Sequence, residues 1–403
     1  MNIKPTPHFE SVLCKDLHDS QTYTLTSASK NIEVGEWTIN NKHIENCSFP
    51  FVIEQKILHG GKQEGTKIIT ITCPEKGLNI TVTPTRGMSV VNARGKDIYF
   101  GWDSPVKELV NPVYINLDSR GGTGWTEGFN EMLVRCGFEW TGHPGYENGQ
   151  LYSLHGRLAN TPASEVEISI SKQAPYEIKI RGLLKESAFK SLDMHTLTEL
   201  SYVPGSNHFT IHDILTNHAD YPHDYEIIYH NNFSKPLLEE NAEFIAPVEE
   251  ISPFDEYALK ELNNWSRYYG PTKDFNEMVY NIKLFAKPDG TTKVALANKM
   301  GDKGAAIEFN INQLPRLALW KNTDTEKQGY VTGIEPCTNH AYPIAIEREQ
   351  GRIKQIAPGQ SLHFKMKFSA LVDKEAVETT RQEISAIMGN KKTKLIETPI
   401  AKE

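Results

Sequence analysis

From Leu362 to Phe368 the chain alternates without a break: Leu362, Phe364, Met366 and Phe368 are apolar, while His363, Lys365 and Lys367 between them are basic. A period of two is the mark of a strand with one face on a core and the other in water or a cleft. The same pattern recurs at Leu78, Ile80 and Val82, at Val166, Ile168 and Ile170, and at Ile307, Phe309 and Ile311. Turn-forming residues interrupt it at Pro204-Gly205-Ser206-Asn207, Pro288-Asp289-Gly290 and Pro358-Gly359. Many half-buried strands separated by such breakers predict an all-β chain, a large antiparallel β-sandwich of two big sheets.

Helix is scarce. One is predicted over Lys374 to Met388, where Asp373 stands at the N-cap position and Gly389-Asn390 supplies a stop, with Val377, Ile384 and Met388 as its apolar stripe. A shorter helical segment is expected near Phe254 to Leu262. The chain reads as an N-terminal extension or set of edge strands over 1–60, one β-sandwich domain over 61–373, and a C-terminal helix and tail over 374–403.

The charge balance narrows the partners. Lys and Arg total 43 against 51 Asp and Glu, a net charge of −8, which lacks the basic footprint that neutralises phosphates. Nucleic acid and anionic membrane surfaces are therefore excluded as expected partners. Met1 to Asp19 has no continuous apolar core, so no secretory leader is expected, and no run has the length of a membrane span. Cys14, Cys47, Cys73, Cys136 and Cys337 are odd in number and form no C-x-x-C, which argues for reduced thiols in a cytoplasmic protein. The Arg120-Gly121-Gly122-Thr123-Gly124 run lacks the lysine of a phosphate loop, and no H-E-x-x-H or G-x-S-x-G is present. His8, His18, His43 and His59 stand on polar stretches and read as solvated.

Three short segments carry the chemistry. Leu154-His155-Gly156-Arg157 sets an imidazole and a guanidinium beside a glycine. Tyr229-His230-Asn231-Asn232-Phe233 ends an apolar run with a histidine, and Gly333-Ile334-Glu335-Pro336-Cys337 puts a carboxylate before a proline that stops the ladder. Singly, each also reads as a structural hydrogen-bonding group or a turn. Together and in this order they resemble the galactose-mutarotase-like superfamily of aldose 1-epimerases, in which a His-Gly segment, a second histidine and a late Glu-Pro follow one another. The chain is most similar to the DUF4432 branch, through Pro84-Thr85-Arg86-Gly87-Met88, Gly101-Trp102-Asp103-Ser104-Pro105, Leu154 to Arg157, Tyr330 to Thr338 and Ala357-Pro358-Gly359, over residues 65 to 372.

The resemblance implies a cofactor-free, metal-free isomerase, a mutarotase that interconverts the anomers of a small sugar as a monomer or homodimer. It implies Glu335 as base and His230 as acid, with His155 steering the sugar. Arg86 and Arg157 are the arginines expected to reach it, ahead of Arg120 and Arg135, and Asn232 and Trp125 complete the expected binding set, with Trp125 stacking on the ring. Trp102 and Trp140 share that chemistry but are read as core. Relatives carry a further acid for ring hydroxyls between the second histidine and the glutamate. Asp274 fills that role here, with Glu277 beside it, in a segment that departs from the family pattern. The alternatives on the same fold are a sugar-binding or sensing protein, a different sugar isomerase or lyase, or a metal site built from His155, His230 and Glu335.

Overall fold

The computed structural model describes Leu13 and residues 19–399. His8, Cys14, His18, the segment read for a leader up to His18, and residues 400–403 of the tail lie outside the described residues. The alternating segments become strands of two large sheets, one of ten strands and one of fourteen. Pairing is antiparallel except for Lys394–Leu395, which runs parallel to Val248–Pro253. In Ser361–Leu371 the expected alternation is intact: Phe364, Met366 and Phe368 are buried and Lys365 and Lys367 exposed. Glu165–Ser171 departs from it, because Glu167 and Ser169 are buried as well as the apolar face. Arg181 on the next strand lies across them, donating from Nη1 to Ser169 Oγ at 3.0 Å and from Nε to Glu199 at 2.6 Å.

The core lies between the sheets. Ile53, Ile69 and Ile80 of the larger sheet belong to one apolar cluster with Ile168, Ile180 and Phe209 of the smaller. One charged pair is buried in it. Arg135, on Leu133–Phe138, binds Asp213 on His208–Asn217 at 2.6 and 3.0 Å, and the Tyr229 hydroxyl donates to the same carboxylate at 2.9 Å. Arg135 thus ties the two sheets together and is remote from any sugar.

Residues 20–57 supply edge strands to both sheets. Ser20–Ser27 and Ile32–Glu33 end the smaller one, and Trp37–Asn40 and Val52–Ile57 end the larger. Tyr23, Trp37 and Ile39 enter the common core. The helix Lys374–Met388 forms where its caps place it: the Asp373 side chain accepts from the Ala376 amide at 2.8 Å, and Gly389 follows. Its buried stripe is Val377, Thr380, Ile384 and Ile387, of which Val377 and Ile384 pack with Ala295, Ala297 and Leu371, so Ile387 and not Met388 is the last buried apolar residue. Near Phe254 to Leu262 the helix shrinks to one turn, Glu256–Leu259, capped by Asp255. Cys47, Cys73, Cys136 and Cys337 are buried free thiols. No helix among the described residues is long and apolar enough to cross a membrane.

Five adjacent strands of the larger sheet position the site. In spatial order they are Met278–Leu284, Arg316–Asn322, Val331–Cys337, His223–Phe233 and Leu133–Phe138. Period two sends Tyr280, Leu319, Ile334, Tyr229 and Leu133 into the core. Val279, Trp320, Glu335, His230 and Val134 consequently face outward. Residues 101–132 form mostly irregular chain with short helical turns and contribute the covering of that outer face. A long irregular segment of this kind within an ordered domain is usually a functional cover.

Candidate functional site

Two strands distant in sequence meet at the floor. Asn231 pairs with Ile334 and Asn232 with Gly333, a register that sets His230 opposite Glu335 on the outer face. His230 Nε2 lies 3.3 Å from Glu335 Oε1, and both side chains are nearly fully buried. Gly333, two residues before Glu335, makes this approach possible. A Cβ there would stand 2.2 Å from Glu335 Oε1 and 3.1 Å from His230 Cε1. Burial pushes the Glu335 carboxyl well above the usual carboxylate range, and the nearby Glu277 charge adds to the rise. Burial also pushes His230 down to about 3, against a small upward pull from Asn232. Burial thus disfavours the charged form of both groups.

His155 comes from a loop. It and Gly156 both adopt left-handed backbone, with φ of 60° and 71°. The His155 amide donates to the Gly142 carbonyl at 2.9 Å, and a Cβ on Gly156 would sit 2.3 Å from the Trp140 carbonyl oxygen. Glycine follows the histidine because only it fits this turn against the strand below. The His155 ring stands edge-on to His230, with centroids 5.7 Å apart. Burial, then the neighbouring His230 and His143, hold it well below the usual imidazole range.

The roof is aromatic. Trp125, on the short turn Gly124–Gly128, meets His155 at 4.8 Å and Phe129 at 4.7 Å between centroids, and Phe129 reaches His230 at 5.0 Å. The buried Trp125 Nε1 has no hydrogen-bond partner among the described residues, and Trp125 lines the cleft. Trp102 and Trp320 extend the wall, and Trp320 Nε1 donates to Glu277 at 2.8 Å. The cleft measures about 700 Å³, inside the span of roughly 300–1,000 Å³ common to small-molecule sites. Apolar rings beside a few convergent polar groups suit a molecule with an apolar face and a hydroxylated edge.

The structure therefore brings together Glu335, His230, His155 and Trp125, and corrects four other expectations. Arg86 is fully buried below the roof, donating to Glu131 at 2.6 Å, to the Val110 and Gly128 carbonyls at 2.9 Å, and to Asn160 at 3.0 Å. It shapes the covering loop from beneath and does not line the cleft. Arg157 lies past the left-handed turn, which aims it away, and stacks over Trp140 at 5.0 Å. Asn232 is fully buried, donating to the Glu131 carbonyl at 2.9 Å, and does not line the cleft. Asp274 is exposed on a turn with φ of 61°, whereas Glu277, at the foot of the Met278–Leu284 strand, lines the cleft. Arg120 is the arginine that reaches the rim, where it pairs with Glu127 at 3.1 Å. Trp140 and Trp102 are both buried, as expected, and Trp102 also borders the cleft.

Trp320 and Phe129 complete the aromatic wall. Leu317-Ala318-Leu319-Trp320 is apolar at both parities, the signal of a strand covered on both faces, and that was the one clue to Trp320. Among the described residues no three His, Cys, Asp or Glu side chains are grouped to grip an ion.

Residues 63–370 match the family described as a domain of unknown function, DUF4432. A crystal structure of a candidate aldose 1-epimerase from Klebsiella pneumoniae subsp. pneumoniae is 57% identical, covers 95% of this chain and 100% of its own, and superposes with a TM-score of 0.94. A galactose mutarotase-like protein from Clostridium acetobutylicum is 13% identical over 83% of this chain and 98% of its own, with a TM-score of 0.53, a likeness of fold alone. A protein from Synechocystis sp. PCC 6803 is 13% identical over 75% of this chain and 95% of its own, with a TM-score of 0.51. No curated protein matches the chain. The two antiparallel sheets are those of the galactose-mutarotase-like fold. Within that superfamily the chain belongs to the DUF4432 family.

Proposed function

We propose that the protein is a mutarotase-type isomerase that interconverts the anomers of a reducing sugar. One observation supports this above the others: an imidazole and a carboxylate side chain stand 3.3 Å apart on the floor of an aromatic-walled cleft, where burial disfavours the charged form of each. The 57% identical Klebsiella protein, described as a candidate aldose 1-epimerase, points the same way.

Opening a pyranose requires the anomeric hydroxyl to lose its proton while the ring oxygen gains one as its bond to the anomeric carbon breaks. A sugar hydroxyl donating to Glu335 stabilises the carboxylate as the carboxyl proton passes to His230. Glu335 then takes the hydroxyl proton and His230 delivers its own to the ring oxygen. The aldehyde turns about one C–C bond and recloses with the two roles reversed, as a reaction run in both directions demands. His155 donates a hydrogen bond near the ring oxygen. Trp125 and Phe129 stack on the apolar face, and Glu277 with Arg120 contacts ring hydroxyls.

The test is NMR exchange spectroscopy on a panel of reducing sugars. Glu335→Gln is expected to abolish anomer exchange while sugar binding, read from tryptophan fluorescence, persists. His230→Ala is expected to lower turnover more than affinity. Unchanged exchange in Glu335→Gln defeats the assignment, and a pure binding defect in His230→Ala turns the reading to a sugar sensor.

A further inference from the structure

A second cavity, of about 320 Å³, lies on the same outer sheet face. Its floor is Ser252, Asn281 and Arg316, outward-facing residues of three neighbouring strands, and Ser252 pairs directly with Asn281. Its roof is His340 and Arg352, which flank the helix Ile344–Glu349. Arg316 pairs with Cys337, two residues beyond Glu335, hence about 7 Å farther along the sheet. Tyr342 separates the two cavities, its hydroxyl donating to the Phe254 carbonyl at 2.9 Å and accepting from Asn281 Nδ2 at 3.2 Å.

We propose that this cavity binds a small oxyanion, the phosphate group of inorganic phosphate or of a phosphate monoester, between the guanidiniums of Arg316 and Arg352. The charges leave it one positive unit in excess. Glu347 is held by Arg352 at 2.7 and 2.8 Å, Glu250 pairs with Lys394 at 3.0 Å, and Lys283 pairs with Glu249 at 3.1 Å. Among the described residues Arg316 has no carboxylate partner. The buried polar atoms are also unspent. His340 Nδ1, Ser252 Oγ and Asn281 Oδ1 have no hydrogen-bond partner among the described residues, although His340 is 7% exposed and Ser252 1%. Burying such groups unpaired is costly, and the two that can donate, His340 Nδ1 and Ser252 Oγ, belong to cavity-lining residues beside two guanidiniums and suit a ligand with several oxygens, while Asn281 Oδ1 accepts only from a protonated P–OH. His340 is held well below the usual imidazole range by burial and then by Arg316 and Arg352, so it offers a neutral N–H beside them.

This site is independent of the sugar reading, and so is its test. Thermal unfolding of the full chain is followed in sodium phosphate, in glycerol phosphate, and in sodium chloride of equal ionic strength. Phosphate at saturation is expected to raise Tm by about 1–2 °C over chloride, and comparison of the two phosphates identifies which form is preferred. Arg316→Gln removes the shift without orphaning a carboxylate, so it is expected to fold. Ser252→Ala weakens phosphate binding by about fivefold through one lost hydrogen bond, and Arg120→Gln, at the rim of the other cleft, retains it. No shift in the wild type, an equal shift in Arg316→Gln, or a shift lost in Arg120→Gln instead would overturn the proposal.

Discussion

Replacing Gly333 by alanine tests the heart of the site with one methyl group. Gly333 has no left-handed φ, so alanine fits the strand backbone. The added carbon would stand 2.2 Å from Glu335 Oε1, where ordinary contact begins at 3.4 Å. The carboxylate must therefore withdraw by about 1.2 Å, the difference of those two distances. A misplacement of about 1 Å at a reacting group costs on the order of 100-fold in rate, about 2.7 kcal/mol of barrier. His230, at 3.1 Å from the same carbon, is pressed as well. Gly333→Ala is expected to keep wild-type circular dichroism and sugar-induced fluorescence change, while anomer exchange by NMR falls about 100-fold. A folded Gly333→Ala protein with the wild-type exchange rate refutes the claim that the chemistry depends on where Gly333 lets Glu335 lie.

Arg86→Met strands the Glu131 carboxylate, fully buried, without its cation, and should lower stability by about 3–5 kcal/mol in chemical denaturation; a loss below about 1 kcal/mol would mean the pair does not organise the covering loop. Acid should unfold the protein through its buried histidines. His230 is depressed from 6.5 to about 3, so its contribution is complete above pH 6.5 and declines as pH falls towards 3. Glu335 is raised well above its ordinary 4.5, so its contribution grows as pH falls from its folded-state value to 4.5 and works against that loss. Below 4.5 that offset stops, and the remaining 1.5 pH units from His230 alone amount to about 2 kcal/mol. His155 and His340, both depressed by burial, add to it. Denaturation midpoints at pH 4.5 and 3.5 measure this slope, and His230→Asn should flatten it; an unchanged slope contradicts the buried neutral imidazole.

Much of the architecture was legible because it is local. Alternation in Ser361–Leu371 and the cap residues Asp373 and Gly389 placed a strand and a helix correctly, since period and capping depend on near neighbours. His155, His230 and Glu335 were legible as a resemblance of order along the chain. The arginines were not. Arg86, Arg135 and Arg157 look alike in sequence, yet one is locked under a loop, one joins the sheets, and one lies on Trp140. A long cation's destination depends on which carboxylates and carbonyls the fold brings to it. Glu277 was displaced by Asp274 for a similar reason: three residues of turn geometry decide which acid faces the cleft.

Period two alone dictated that His230 and Asn232 share one side of their strand and that Gly333 and Glu335 share one side of theirs. Nothing along the chain could say that these strands are neighbours, because antiparallel pairing joins segments about a hundred residues apart through backbone hydrogen bonds that any side chains allow. Only the packed sheet chose that partner and that register. With it came the 3.3 Å approach, the burial of both side chains, and the displaced proton affinities on which the proposed chemistry rests.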